Sequence, residues 1–248
     1  SKRLRVAVAA GCMAMGLMGG LELVSPVPAA AAGYTVPQKS PITVLPIGNA
    51  KFLTGQQFDF LIEVKDVQPQ DISVTVNGQD AAGFFGKEAV RGTHDGIATY
   101  RIDAVQLRAA GKVDIVVKAG GESRRLQYTA TAEQAVKRAK NVILMIGDGM
   151  SLQAREMARV LAKGMTEGRY NDLLEMEKMP HMAVITTSGY DSLVTDSANS
   201  ASAYATGQKG TVNAMGVYSD STKDPLDDPK VENIVELAKR TRGMATGI

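Results

Sequence analysis

Between residues 41 and 130 apolar and polar positions alternate in short runs rich in β-branched residues, each bounded by turn formers. FDFLIEV (58–64), ISVTVNGQ (72–79), ATYRIDAV (98–105) and VDIVVKAGGESRRLQYTA (113–130) have the period of two expected of strands. Asn77-Gly78 marks a hairpin, because both residue types tolerate the positive φ of a two-residue turn. The last run folds back at Ala119-Gly120-Gly121. This spacing predicts a small antiparallel β-sandwich over 41–130. His94-Asp95 stands alone in a glycine-rich stretch and reads as a solvated turn, not a metal site.

The pattern then changes. Residues 131–140 are charged, helical in propensity and read as a connector. NVILMI (141–146) is a continuous apolar run, as in a strand covered on both faces. It leads into Gly147-Asp148-Gly149-Met150 and a helix whose Ala154, Met157, Ala158 and Leu161 keep helical spacing. HMAVITT (181–187) reads as another strand, and 197–205 as a helix ending near Thr206-Gly207. A last helix is predicted with Asp228 at its cap, Pro229 at its first position and Gly243 at its end. Its apolar stripe would be Val231, Ile234, Val235 and Ala238, and MATGI (244–248) would begin a further strand. Alternating strands and helices predict an α/β fold for 139–248, a mainly parallel sheet with flanking helices.

Residues 1–32 have the three parts of an export signal: basic SKRLR, an apolar stretch to Val24, and small residues ending near Ala32. The glycines, Glu22 and the Pro26/Pro28 pair weaken the alternative of a membrane anchor. A lipid on Cys12 is a lesser alternative. Export predicts a periplasmic or secreted protein without a membrane span once the signal is removed. Cys12 is the single cysteine, so the remaining chain has no disulfide and no thiolate for metal or catalysis. Removing 1–32 takes away Lys2, Arg3, Arg5 and Glu22, leaving 25 basic against 25 acidic residues. That neutral body gives no electrostatic case for nucleic acid. A hydrophobic content of 44% with 22% charged residues is that of a folded chain, not a disordered one.

Two places carry candidate chemistry. At IGDGM the strand–turn–helix resembles the start of a dinucleotide fingerprint, but Leu152 takes the third glycine's place. Asp148 would also set a negative charge against a pyrophosphate. A carboxylate between two glycines suits a hard cation better; a helix cap is the competing explanation, and the residues alone leave both open. In VTDSANSASAYATG (194–207), a helix starting at Ala198 would make Ser197 its N-cap. The same position exposes a hydroxyl beside free backbone N–H groups at the positive end of the helix. Serine needs an activator. No G-x-S-x-G elbow is present, and His94 and His181 form no triad pattern, which leaves a metal ion.

Strand–GDGM–helix followed by VTDSANSASAYATG resembles the alkaline phosphatase family. The correspondence runs through 140–150, 179–210 and 231–248, and the D-S-A-x-S-A-x-A run is specific. The resemblance implies that Ser197 is the nucleophile, that Asp148 bridges a zinc and the magnesium, and that Asp196 helps orient a phosphate-binding arginine. It implies hydrolysis of phosphate monoesters through a phosphoserine, with one zinc lowering the pKa of Ser197 and a second stabilising the leaving oxygen. The remaining zinc and magnesium ligands and the arginine cannot be assigned in this chain; His181 matches no family ligand and is read as structural. On this reading the sequence is the N-terminal part of a longer enzyme, and residues 33–248 alone are expected to show negligible turnover. The region 41–130 would be a spacer, a homodimer contact or a surface-attachment module.

Two other functions compete: a phosphodiesterase of the same superfamily, and a non-catalytic exported adhesion or binding module. A sulfatase-like site is disfavoured, because Ser197-Ala198-Asn199-Ser200-Ala201 has neither the proline nor the arginine of that motif.

Overall fold

The computed structural model describes residues 40–132 and 141–247. The predicted signal (1–32) and most of the predicted connector (133–140) lie outside the described residues.

The first half forms two sheets. One has the order β1 (Ile42–Leu45), β3 (Gln57–Lys65), β7 (Ile97–Gln106), β6 (Val90–His94). The other runs β2 (Lys51–Leu53), β9 (Glu122–Thr131), β8 (Gly111–Ala119), β4 (Ser73–Val76), β5 (Gln79–Asp80). All pairs are antiparallel except β2 with β9. Turn chemistry fixes the registers. Val76 faces Gln79 across Asn77-Gly78, with φ of 51° and 81°, and Ala119 faces Glu122 across Gly120-Gly121. His94 faces Ile97 across Asp95-Gly96, so it ends a strand, where the sequence had suggested a loop. Asp95 (φ 46°) and Gly96 (φ 77°) make that turn possible.

The inward residues of both sheets form one apolar core. Phe52 and Phe58 stack with centroids 4.2 Å apart, and Tyr128 meets both edge-on. A short helix, α1 (Ala81–Phe85), capped by Asp80 at one end and Gly86 at the other, brings Phe85 against Phe58 and Phe60. Two residues far along the chain complete this core: Tyr218 and Val231, 1% and 5% exposed. Burying each such side chain contributes about 1.5–3 kcal/mol.

β3 shows how they get there. Strand alternation puts Asp59, Leu61 and Glu63 on the face opposite Phe58, Phe60 and Ile62. That second face is buried too, and later residues bond to it: the Ser221 amide donates to Glu63 and the Lys230 amide to Asp59, both at 3.0 Å. Beyond the end of β1, Lys230–Glu232 continues the sheet edge: the Asp59 amide donates to the Lys230 carbonyl (2.8 Å) and the Glu232 amide to that of Gln57 (2.9 Å). Asp59 also steadies a bulge, accepting from the amides of Ala104 (2.8 Å) and Lys230 (3.0 Å) and pairing with Arg101 at 3.2 Å. Ala104 holds a φ of 50°, unusual for a residue with a Cβ.

The second half carries helix α2 (Leu152–Lys163), a short hairpin of β10 (Met165–Thr166) and β11 (Arg169–Tyr170), α3 (Ser197–Thr206) and α4 (Ile234–Arg242). Arg155 and Arg159 of α2 reach Glu177, and the Arg159 guanidinium lies 4.0 Å over the Tyr170 ring. The predicted stripe of α2 faces out, with Met157 and Leu161 61% and 81% exposed.

The parallel sheet expected here is not formed by the described residues. Residues 141–146 and 181–187 form no regular element and enter no strand pairing, and their apolar side chains are exposed. A strand exists only through a neighbour that takes up its N–H and C=O groups, and no strand pairing among the described residues involves either run. The last helix also starts later than predicted. Asn233, not Asp228, is its N-cap, accepting the Glu236 amide at 2.9 Å. Residues 229–231 are unavailable for a helix because their backbone pairs with 216–218 and with β3. No helix among the described residues is long and apolar enough to cross a membrane.

Candidate functional site

Helix α3 presents the Asp196-Ser197 pair. Its cap is Asp196, and Ser197 is the first helical residue, so the helix starts one residue earlier than the sequence suggested. A carboxylate suits that place better than a hydroxyl: it accepts the free N–H groups and adds negative charge at the positive end of the helix. Asp196 accepts from the Asn199 amide at 2.8 Å, while the Asn199 side chain accepts the Asp196 amide at 3.0 Å. The other Asp196 oxygen accepts the Asn213 amide at 2.5 Å. These amides of Asn199 and then Asn213 hold the Asp196 carboxyl below its ordinary pKa.

Ser197 is exposed at the end of the helix, whereas Asn199, one half-turn on, is buried. The arrangement leaves a hydroxyl in reach of solvent beside N–H groups at a helix start, a place that favours an anion.

The rest of α3 is anchored by small hydroxyl residues. The Ser202 hydroxyl shares its one proton between the carbonyls of Ala198 (3.0 Å) and Ala214 (2.9 Å) and accepts from the Gly216 amide (2.7 Å). Thr206 donates to the Ser202 carbonyl at 2.7 Å. Behind the helix, Gly189 allows close approach: a Cβ there would stand 2.7 Å from Asn199 Nδ2 and 3.3 Å from the Gly210 carbonyl. Among the described residues Asn199 Nδ2 is buried without a hydrogen-bond partner.

Asp148 sits exposed in the turn between Gly147 and Gly149, closed by the Met150 amide on the Gly147 carbonyl at 3.3 Å. It does not cap α2. Ser151 does, accepting the Ala154 amide at 3.1 Å, so the competing explanation for Asp148 falls away. His181 is exposed and in no strand, which gives no support to a structural role.

Asp148 and Ser197 are oxygen donors and fit a divalent cation in kind, but not in number. Zinc takes four ligands. Among the described residues, the group of three acids whose oxygens lie within 4.8 Å of one another is Asp220, Asp227 and Asp228, without Asp148. Those three are bound up in their own loop. Asp228 accepts the Asp220 amide at 2.9 Å, Asp220 that of Thr222 at 2.7 Å, and Asp227 the Thr222 hydroxyl at 2.8 Å. Burial, first of all, raises the Asp228 pKa.

Sequence reasoning missed the partners that hold the pair in place. Asn199 and Asn213 are polar residues of no motif, and only the D-x-x-N spacing hinted at a reciprocal cap.

Residues 139–248 match the sequence model of the alkaline phosphatase family. The tissue-nonspecific alkaline phosphatase of Gallus gallus is 36% identical over 114 residues, covering 44% of this chain and 22% of that protein. Alkaline phosphatase H of Pseudomonas aeruginosa is 39% identical over 134 residues, 51% of this chain and 26% of its own. The alkaline phosphatase of Escherichia coli is 37% identical over 138 residues, 53% and 27% respectively. The chain thus spans about a quarter of the length of these relatives. Among solved structures, a titin I27 domain mutant aligns with 40% of this chain and 98% of its own at 16% identity, with a TM-score of 0.25. Residues 139–248, which hold Asp148, Asp196 and Ser197, are thus similar in sequence to the alkaline phosphatase family.

Proposed function

We propose that the full-length protein hydrolyses phosphate monoesters through a phosphoserine at Ser197. The observation that carries this reading is the placement of Ser197, exposed at the first position of α3 and next to the capping Asp196, inside the family-matching segment. Ser197 Oγ attacks phosphorus, and the ester oxygen leaves with the bonding pair and takes up a proton. Water then attacks the phosphoserine, releasing inorganic phosphate and restoring the hydroxyl. The positive end of the α3 dipole favours the charge of the phosphoryl group. Asp196 is the residue that keeps this helix start in place; the orienting of an arginine is a further role it is suited to.

Asp148 and Ser197 would contribute oxygen ligands to zinc and magnesium. Such ions, when bound, lower the pKa of a coordinated hydroxyl and stabilise charge on a departing oxygen. With two donors described, the cage needs ligands from elsewhere. Export to the periplasm or the exterior fits the three-part N-terminus and the single cysteine within it.

The test is Ser197→Ala in the full-length protein, assayed on p-nitrophenyl phosphate and on its bis-ester. Loss of monoester turnover with α3 intact supports the reading. Undiminished turnover removes Ser197 as nucleophile, and a preference for the bis-ester would favour the diesterase.

A further inference from the structure

The sandwich reaches the far end of the Ser197 helix through one side chain. Gln56 lies just after the turn between β2 and β3 and is 5% exposed. Its Nε2 donates to the carbonyl of Thr206, the last residue of α3, at 3.0 Å, and to the carbonyl of Glu232 at 2.9 Å. Its Oε1 accepts the Leu53 amide at 3.1 Å. One amide therefore ties the turn it sits beside to the end of α3 and to the strand-like segment before α4. The last carbonyls of a helix lack intrahelical donors, so a buried donor there fixes the helix end.

The surroundings make this a built contact. Gln208, two residues past α3, donates to the Lys51 carbonyl of β2. Glu232 accepts the Gln57 amide at 2.9 Å and both Arg240 nitrogens, Nε and Nη2, at 2.6 and 2.7 Å. Arg240 returns to the sandwich through the Gly55 carbonyl at 2.7 Å. The turn is thus held from α3 and α4 together.

We infer that Gln56 is a positioning residue for Ser197: the sandwich sets the axial position of α3, and so the place of the hydroxyl at its other end. A rigid helix of ten residues passes a displacement at Thr206 directly to Ser197. On this inference the region 41–130 is part of the apparatus that aligns the nucleophile, beyond a spacer or attachment role. The kinetic part rests on the reading of Ser197 as nucleophile; the positional part does not.

Hydrogen–deuterium exchange and kinetics of the full-length protein test it, with Gln56→Ala and Gln56→Glu. The second keeps an acceptor for Leu53 but donates to neither carbonyl. Both variants should speed exchange at the amides of 201–206 by about tenfold, the loss of roughly one buried hydrogen bond. Exchange in β7, β8 and β9 should stay unchanged. The kcat for a phosphate monoester should fall by about tenfold with KM held, as expected when alignment and not binding is lost. Gln127→Ala, which removes an exposed bond to Asp114 in the same sandwich, should do neither. Wild-type exchange at 201–206 in both Gln56 variants overturns the inference. So does loss of protection spread through β7–β9, or an equal effect from Gln127→Ala. Should Ser197→Ala retain turnover, the nucleophile reading fails, while the exchange result still decides the role of Gln56.

Discussion

The carboxylate of Asp196 and the side chain of Asn199 cap α3 reciprocally, each accepting the other's backbone amide, at 2.8 and 3.0 Å. Asp196→Ala removes this cap and the bond to Asn213 together. It should destabilise the protein by about 1–2 kcal/mol, read by chemical denaturation, and raise exchange first at the start of α3.

The same cap sets an acid limit. Its two amide donors lower the Asp196 pKa from the ordinary 3.8, so the folded state prefers the carboxylate. The stabilisation is whole above the unfolded value, and declines as pH falls through it to the lower folded value. Protection of the 197–200 amides should therefore weaken on acidification below about pH 4, and Asp196→Asn should flatten that dependence. An identical acid profile in the variant would rule the cap out as its cause.

Gly189 has no room for a methyl group, with Asn199 Nδ2 and the Gly210 carbonyl on its open side. Gly189→Ala should cost about 1–3 kcal/mol by overpacking and displace Asn199 from its cap. Thermal unfolding of the variant measures it. Turnover should fall with it, since Asn199 holds Asp196.

Asp59 has 9% exposure and accepts from two backbone amides and Arg101. Asp59→Ala should cost about 3–5 kcal/mol, because it leaves Arg101 and two amides without their acceptor. Asp59→Asn should cost less, as one oxygen still accepts. Equal unfolding midpoints for the wild type and Asp59→Ala would contradict this.

Removal of divalent cations from the full-length protein with a chelator should abolish monoester turnover, and zinc with magnesium should restore it. In Asp148→Ala the restoring concentration should rise. Retained turnover after exhaustive chelation would exclude the two-metal scheme.

What could be read in advance was whatever depends on neighbours in sequence. Asn77-Gly78 and Gly120-Gly121 name their own turns, and period-two alternation located β3, β4, β7, β8 and β9. The misplaced starts have a different cause. Ser197 and Asp196 are both good caps, and the choice fell to Asp196 because Asn199 and Asn213 approach it, one of them from a distant loop. Asp228-Pro229 has every mark of a helix start, but Lys230–Glu232 is claimed by the edge of β3. Residues 141–146 look like a buried strand, a property that requires covering segments their own sequence cannot supply. Gln56 carried no signal at all, because its significance lies in Thr206 and Glu232.

Tyr218 and Val231 close the core of a sandwich whose own strands end at Thr131. A ribosome delivers the chain from its N-terminus, so β1 to β9 emerge well before either residue. The newborn sandwich therefore has an open apolar corner, and only later synthesis brings the plug. Tyr218→Ala should leave that corner permanently open, at about 3–5 kcal/mol by thermal unfolding, although it lies outside the sandwich in sequence. Residues 40–132 and 141–247 therefore share one hydrophobic core, and expressing either stretch without the other would leave apolar side chains uncovered.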